Sequence, residues 1–303
     1  MKTILVDANH LLNRNFHVPT LQHLSVEIDG EEIHTGAAYG FLMSFKKMQI
    51  EKDKDEEIYV VWDGGGENWR HKLTSDYKAN RKQKTDIFHR QQLITQDILR
   101  SLGVAQCQAK GEEADDLIGS LAKFKRLQGN TVIIISSDKD FNQLVSRHIQ
   151  VLHPKMSNND EKLMTPAQIE EDFGIPPSKF ADWLALRGDS SDNIKGLEGV
   201  GKKTATELIL GSGSVEEILS TDRHFLIKKG EKKPASRKLQ EKINNSKEIL
   251  KLSRQLVDIK CDISLKGKIT RQKPDFHLLK TLFKKYQFKK CLQDFNEFVR
   301  DFS

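Results

Sequence analysis

Three short runs constrain this chain more than anything else in it. Lys2–Asp7, Ile58–Asp63 and Thr131–Ser136 are largely apolar and rich in β-branched residues. A strand that is apolar on both faces has to be covered on both, which is the mark of a parallel sheet between layers of helices. Helical patterns near Gly36–Ile50, Phe88–Leu102 and Glu113–Leu127 alternate with these runs. The alternation predicts a doubly wound α/β domain. In such sheets the site lies outside the carboxyl ends of the strands. The first run ends in Asp7, the second in Asp63, and the third leads into Asp138 and Asp140.

After about Pro176 the apolar runs stop. Short helical segments take over at Ser178–Arg187, Lys202–Leu210, Val215–Ser220 and Arg237–Leu250, separated by glycine turns. They predict a second, mostly helical unit from roughly Ile175 to Leu265. Lys228, Lys229, Lys232, Lys233, Arg237 and Lys238, around Pro234, read as an exposed basic loop. Phe276, Leu279, Leu282, Phe283 and Tyr286 are spaced for an amphipathic helix in the tail. A chain of 303 residues has room for two such domains.

With 37% apolar and 30% charged residues the chain has enough core-forming mass to exclude wholesale disorder. No apolar run approaches the ~18 residues a membrane helix needs, so no membrane partner is expected. The first residues lack the pattern of a signal peptide. Cys107, Cys261 and Cys291 are too scattered for a disulfide framework or a cysteine metal site, which points to a reducing cytoplasm. Lys and Arg number 49 against 43 Asp and Glu, and a surplus of +6 is a weak pointer to a polyanion.

Carboxylates dominate the candidate chemistry: Asp7, Asp63, Glu113, Asp115, Asp116, Asp138, Asp140, Asp189 and Asp192. Glu113 and Asp116 are three apart and share one side of the helix they open. Singly, each acid fits a turn, a helix N-terminus or a solvated surface. Together they do not, because two like charges ~4 Å apart cost roughly 4 kcal/mol at an effective dielectric near 20. Such a set has to take up protons or cations. Mg²⁺ is the natural partner, being hard and oxygen-seeking. Two ions ~3.5–4 Å apart suit phosphodiester hydrolysis. No His pair stands at zinc-ligand spacing.

Between the second strand and the carboxylate helix lies a basic, aromatic insert, Trp69 to Lys84. Arg70, Lys72, Lys78, Arg81, Lys82 and Lys84 supply charge for phosphates, and Tyr77 supplies a ring for base stacking. On a helix Lys78 and Arg81 would share a face. A solvated loop anchored by its Trp and Tyr explains the segment equally well. Gly196 to Ala205 nearly fits a nucleotide P-loop. However, Lys203 stands where Ser or Thr is needed, and no buried strand precedes it. A glycine turn between two short helices fits better. Its N–H groups around Gly199, Gly201, Lys202, Lys203 and Thr204 could grip one DNA phosphate. Lys202 and Lys203 oppose the helix dipole there, which an anion would offset.

Taken in order, seven segments together resemble the 5′-nuclease family of flap endonucleases, phage 5′-exonucleases and the nuclease portion of bacterial DNA polymerase I. They are Ile4 to Asp7, Val61 to Asp63, Tyr77 to Arg81, Glu113 to Asp116, Ser137 to Asp140, Gly188 to Asn193, and Gly196 to Ala205. The resemblance covers roughly Thr3 to Leu265. It implies a PIN-like parallel sheet flanked by helices over residues 1–174, with a helical arch at about 66–90. It further implies a helix-three-turn-helix DNA-binding module at 175–265 and a helical tail at 266–303. It implies two Mg²⁺ ions, with Mn²⁺ as a substitute. Asp7, Asp63, Glu113, Asp115 and Asp116 would serve the first; Asp138, Asp140, Asp189 and Asp192 would mainly serve the second. Lys78 and Arg81 would contact the scissile phosphate region and Tyr77 the scissile nucleotide. K⁺ would bind the helical turn through backbone carbonyls.

The substrates implied are 5′ flaps, nicked duplex and RNA–DNA hybrids, cut by a monomer in a bacterial cytoplasm or phage-infected cell. Three glycines, Gly64–Gly66, suggest a mobile entry to the arch. The chain stops soon after the nuclease region, which suggests a stand-alone enzyme. Phe295, Phe298 and Phe302 either dock a replication partner or, as the pattern favours, face the core. Two alternatives remain open: a PIN-type ribonuclease, which would lack Asp189, Asp192 and the glycine turn, and a non-catalytic DNA-end-binding protein, which would have gaps among the nine carboxylates.

Overall fold

A computed structural model describes residues 1–50, 56–154 and 161–300. In chain order its strands are β1 (Lys2–Asp7), β2 (Ser25–Ile28), β3 (Glu31–His34), β4 (Glu56–Val61), β5 (Ala105–Cys107), β6 (Thr131–Ile135), β7 (Ile149–His153), β8 (Lys162–Met164), β9 (Phe225–Lys228), β10 (Glu231–Pro234) and β11 (Ile269–Thr270). Two compact units form. The first is built from the described parts of residues 1–65, 83–137 and 261–303, the second from those of 66–82 and 138–260. From the sequence a boundary is expected at residue 174. Compaction instead groups residues 66–82 and 138–174 with the helical second half.

The first unit is built on β1, which pairs in parallel with β4 on one side and β6 on the other. Leu5 stands opposite both Tyr59 and Ile134. The strands run in the order β11-β5-β4-β1-β6, parallel except for β11. Leu5, Val6, Val60 and Ile134 are fully buried, as expected for strands covered on both faces. Helices Ala8–Phe16, Gly36–Ile50, Asp86–Ser101 and Ala114–Leu127 supply the cover. The rings of Phe41 and Trp62 stack 5.7 Å apart in the core, and the indole N–H of Trp62 donates to Gln106 at 2.9 Å.

A hairpin, β2–β3, turns at Asp29-Gly30, both at positive φ, the geometry such a tight turn demands. The alternation read from the sequence had no element there. The tail helix Phe276–Lys285 forms as its spacing predicts. Its buried Phe283 meets the buried Phe298 edge to face at 5.3 Å, so the tail turns its rings inward on its own unit. Phe302 lies outside the described residues.

The second unit packs Phe173, Phe180 and Trp183 ring to ring, with Leu184, Leu208, Ile218 and Leu250 buried in its core. Two expectations change here. The helix expected over Arg237–Leu250 is two helices, Arg237–Asn245 and Lys247–Val257, which meet at Ser246. The basic loop is an antiparallel hairpin, β9–β10, reversing at Lys229 and Gly230, both at positive φ. Its lysines are exposed on the hairpin. Their composition gave no apolar alternation from which a strand could be read.

Candidate active site

In the first unit, Asp7 ends β1 and starts the next helix. Its Oδ1 accepts the His10 N–H at 3.0 Å and its Oδ2 accepts the Ser136 hydroxyl at 2.8 Å. Asp63 follows β4. Its own N–H donates to Asn9 Oδ1 at 3.0 Å, while its Oδ1 accepts the Ala114 N–H at 2.9 Å. That N–H opens helix Ala114–Leu127, so Asp63 satisfies a first-turn donor and puts negative charge at the positive end of the helix dipole. Glu113 is the N-cap residue and makes no capping bond with its side chain. Asp115 and Asp116 lie in the first turn; Asp116 is fully buried and Asp115 half-buried.

Of the three glycines Gly64–Gly66, Gly64 is held by its surroundings. Its N–H donates to the Glu112 carbonyl at 3.0 Å, and a Cβ there would sit 1.6 Å from the Ala109 carbonyl oxygen. Glycine is required at this position by close backbone packing.

In the second unit, Asp138 caps the tight helical turn Lys139–Leu144 by accepting the Asp140 N–H at 2.9 Å. Asp140 has one oxygen, Oδ1, sealed from solvent and without a hydrogen-bond partner. Burial, and after it the charge of Asp138, pushes this carboxyl up to about 7, with Asp189 and Asp192 adding to the effect and Lys139 opposing it. Lys139 lies between acids: its ammonium donates to Asp189 Oδ2 at 2.7 Å and stands 3.7 Å from Asp140 Oδ1. Burial works against that ammonium, but Asp140, Asp189 and Asp138 outweigh it and raise its pKa. Burial alone would raise the Asp189 carboxyl too. Bonds from Lys139 and Ser191 outweigh it and hold the carboxyl below its ordinary value.

The loop carrying Asp189 and Asp192 is fixed by glycines. Gly188 has φ +75°, and a Cβ on it would lie 2.5 Å from the Gly196 nitrogen. A bridge between Asp189 and Ile194 closes the loop. Asp192 is surrounded by donors from the basic insert. Arg81 pairs with its Oδ1, and the Tyr77 hydroxyl and Lys78 ammonium stand 3.4 and 3.6 Å from its Oδ2. Further bonds join the same two segments: Lys78 N–H to the Asp192 carbonyl, Asn80 to the Ser190 carbonyl, and Asn193 to the Asp76 carbonyl. Among the described residues no three His, Cys, Asp or Glu side chains are set to hold a metal ion in the geometry present. In the second unit the reason is visible, because Asp189 and Asp192 are already engaged by Lys139, Lys78 and Arg81.

The insert itself departs from expectation. Only Trp69–Leu73 is helical; Lys78 and Arg81 sit on turns, with Lys78 at φ 55°, so a shared helical face is not what brings them together. Their common partner, Asp192, does. Tyr77 is buried, 3% exposed, and not presented for stacking. Arg70, expected to face DNA, is 3% exposed and donates to the Leu256 and Asp258 carbonyls. A basic run seen without its contacts cannot separate such an arginine from a solvated one. Lys82 is exposed.

The glycine turn forms as expected. Gly199 has φ +76°, and Gly201 precedes helix Lys202–Ser212 with no side-chain cap, leaving first-turn N–H groups of Lys202, Lys203 and Thr204 to be satisfied from outside the helix. The Lys242 ammonium donates to the Glu198 carbonyl of this turn at 2.5 Å. Lys139, Asn9, Ser136, Asn80 and Asn193 are site residues to which the sequence alone assigns no role. Lys139 alone carried a signal, a cation between two candidate ligands.

The family described as 5′-3′ exonuclease, N-terminal resolvase-like domain, matches residues 2–174, and that described as 5′-3′ exonuclease, C-terminal SAM fold, matches residues 175–276. The thermostable DNA polymerase I of Thermus aquaticus is 36% identical over 295 residues, 97% of this chain; the chain spans 33% of that polymerase's length. The 5′-3′ exonuclease of Buchnera aphidicola is 33% identical over 290 residues, covering 94% of this chain and 96% of the relative. The fold is shared with the flap endonuclease of bacteriophage T5 in a pseudo-enzyme–product complex with DNA and metal ions. There the TM-score is 0.68 at 19% identity, over 100% of this chain and 98% of that one. It is shared also with the catalytic core of Rad2 in complex with DNA substrate, at a TM-score of 0.60 and 17% identity, over 100% of this chain and 92% of that one. Sequence matches over nearly the whole length, on a mostly parallel sheet whose strand ends carry the expected carboxylates, place this chain in the 5′-3′ exonuclease family.

Proposed function

We propose that this chain is a Mg²⁺-dependent, structure-specific 5′ nuclease that hydrolyses phosphodiesters near the 5′ ends of flaps, nicks and RNA-primed duplex, in replication and repair. The observation that carries this is Asp140. A largely buried carboxylate with an oxygen lacking any hydrogen-bond donor, pressed by Asp138, Asp189 and Asp192 and faced by the Lys139 ammonium only at 3.7 Å, calls for a closer cation. All four are hard oxygen donors, the set a small divalent ion prefers. Asp138, Asp140, Asp189 and Asp192 would hold one ion, and Asp7, Asp63, Glu113, Asp115 and Asp116 the other. Divalent ions bound there supply Lewis-acid charge and lower the pKa of water.

The chain's own contribution is positioning. Lys78 and Arg81, now on Asp192, are the cations that would take the reacting phosphate's oxygens. The first-turn N–H groups of Lys202, Lys203 and Thr204 would hold a duplex phosphate. K⁺ would bind at the same turn through backbone carbonyls, near the Lys242 ammonium that donates to the Glu198 carbonyl. Metal ions and DNA in the bacteriophage T5 complex, and DNA in that of Rad2, support the choice of cofactor and substrate. No described helix is long and apolar enough to cross a membrane, and a monomer in the cytoplasm fits the reading.

A 5′-labelled flap substrate incubated with Mg²⁺ or with EDTA tests the proposal. Short 5′ products with Mg²⁺ and none with EDTA are expected. No metal-dependent cleavage of any flap, nick or RNA–DNA hybrid would overturn it.

A further inference from the structure

Beside the distal carboxylates, within the second unit, lies a cavity of about 490 Å³. Lys139, Arg187, Gly188, Asp189, Ser190 and Ser191 line it. Its walls carry two cations against one carboxylate. That carboxylate, Asp189, is already satisfied by the Lys139 ammonium and by the N–H and hydroxyl of Ser191. Arg187 is different. It is exposed, its guanidinium lies 5.4 Å from the centre of the Trp183 ring, and no carboxylate among the described residues pairs with it.

A cation in the last turn of helix Phe180–Arg187 suits the helix dipole, and any positive charge there would do that much. The Trp183 ring adds a cation–π contact that restrains the guanidinium, a planar fork whose donors suit the oxygens of a phosphate. The exposed Ser190 adds a hydroxyl on the same cavity.

We propose that this cavity is a phosphate-binding subsite in which the Arg187 guanidinium holds one phosphodiester of the bound DNA strand, flanked by the Ser190 hydroxyl and the Lys139 ammonium. The subsite rests on the nuclease reading above. Inorganic phosphate offers the same chemistry, so the test has to separate the two sources.

Binding of flap DNA is measured by fluorescence anisotropy in Ca²⁺, between about 50 and 200 mM salt, for the wild type, Arg187→Gln and Arg187→Lys. Arg187→Gln is expected to bind about tenfold more weakly at low salt, with the slope of log K against log salt reduced by about 0.9, the signature of one lost phosphate contact. Arg187→Lys should keep the slope and lose part of the affinity. Flaps carrying a single neutral methylphosphonate at successive positions should reveal one position that weakens the wild type but not Arg187→Gln. Affinity and slope in Arg187→Gln equal to those of a wild type that binds well would overturn the subsite alone. A wild type that binds no flap DNA would overturn the nuclease reading and the subsite with it. Thermal protection of the wild type alone by inorganic phosphate, with no discriminating methylphosphonate position, would assign the cavity to a free anion and overturn the strand assignment.

Discussion

The two carboxylate groups are held in different ways. In the first unit Asp7 and Asp63 accept from His10 N–H, the Ser136 hydroxyl and Ala114 N–H, donors that a strand end and two helix starts provide. In the second, Asp189 and Asp192 are gripped by Lys139, Lys78 and Arg81 on turns and loops. Neutral N–H and hydroxyl donors fix a carboxylate without themselves cancelling its charge. Mobile side-chain cations cancel the charge, and a competing cation can take their place. Asp63 is therefore a preset acceptor, and Asp189 and Asp192 are exchangeable ones.

The sharpest way to break this comparison is to remove one acid from each group and read stability beside activity. Asp140→Asn and Asp63→Ala should each lower Mg²⁺-dependent cleavage by about 10³-fold, as loss of a preorganised charge commonly does. Their effects on folding should be opposite. Without metal at pH 8, Asp140→Asn removes a buried charge that lacks a donor, and its Tm should rise by at least ~2 °C. Asp63→Ala strips the acceptor from the Ala114 N–H, a cap worth about 1 kcal/mol, and should lower Tm by roughly 2–4 °C. Shifts of the same sign would erase the distinction.

A second difference follows in pH. The Asp140 carboxyl titrates near 7 in the folded chain against an ordinary value of 3.8. Its folded pKa is raised, so its ionised form costs stability, in full above pH 7, and the cost fades as pH falls from 7 towards 4. Asp189 has the opposite sign. Its pKa is lowered, so it contributes stability above its ordinary value of 3.8 that is lost as pH falls further. The metal-free wild type should gain Tm between pH 8 and pH 6, and Asp140→Asn should lose most of that slope. Divalent affinity should fall over the same interval, because protons compete for the same oxygens.

Smaller effects sharpen the idea of exchange. Arg81→Gln should cut cleavage by about 10²-fold yet raise Mn²⁺ affinity a few-fold, since one competitor for Asp192 is gone. Tyr77→Phe removes one 3.4 Å contact to Asp192 and should change cleavage by less than about threefold.

The contrast also explains what was legible in the sequence. β1, β4 and β6 and the carboxylates at their ends follow from apolar runs that stop at an aspartate, because burial on both faces admits little else. The second group was legible as a set of acids but not as a set of bonds. Its partners come from turns whose positions depend on single residues such as Lys78 at positive φ and the glycine pair Gly188 and Gly196. Arg70 shows the limit most clearly. Within a basic run it looks like its neighbours, but it is buried and donates to the Leu256 and Asp258 carbonyls, far along the chain.

The most direct test of the exchangeable group is a Mn²⁺ titration of the wild type and Asp140→Asn at pH 8, followed by electron paramagnetic resonance. The account predicts that Asp140→Asn binds one ion fewer while keeping the ion assigned to the first unit. Equal numbers of bound ions with equal affinities in the two proteins would contradict it.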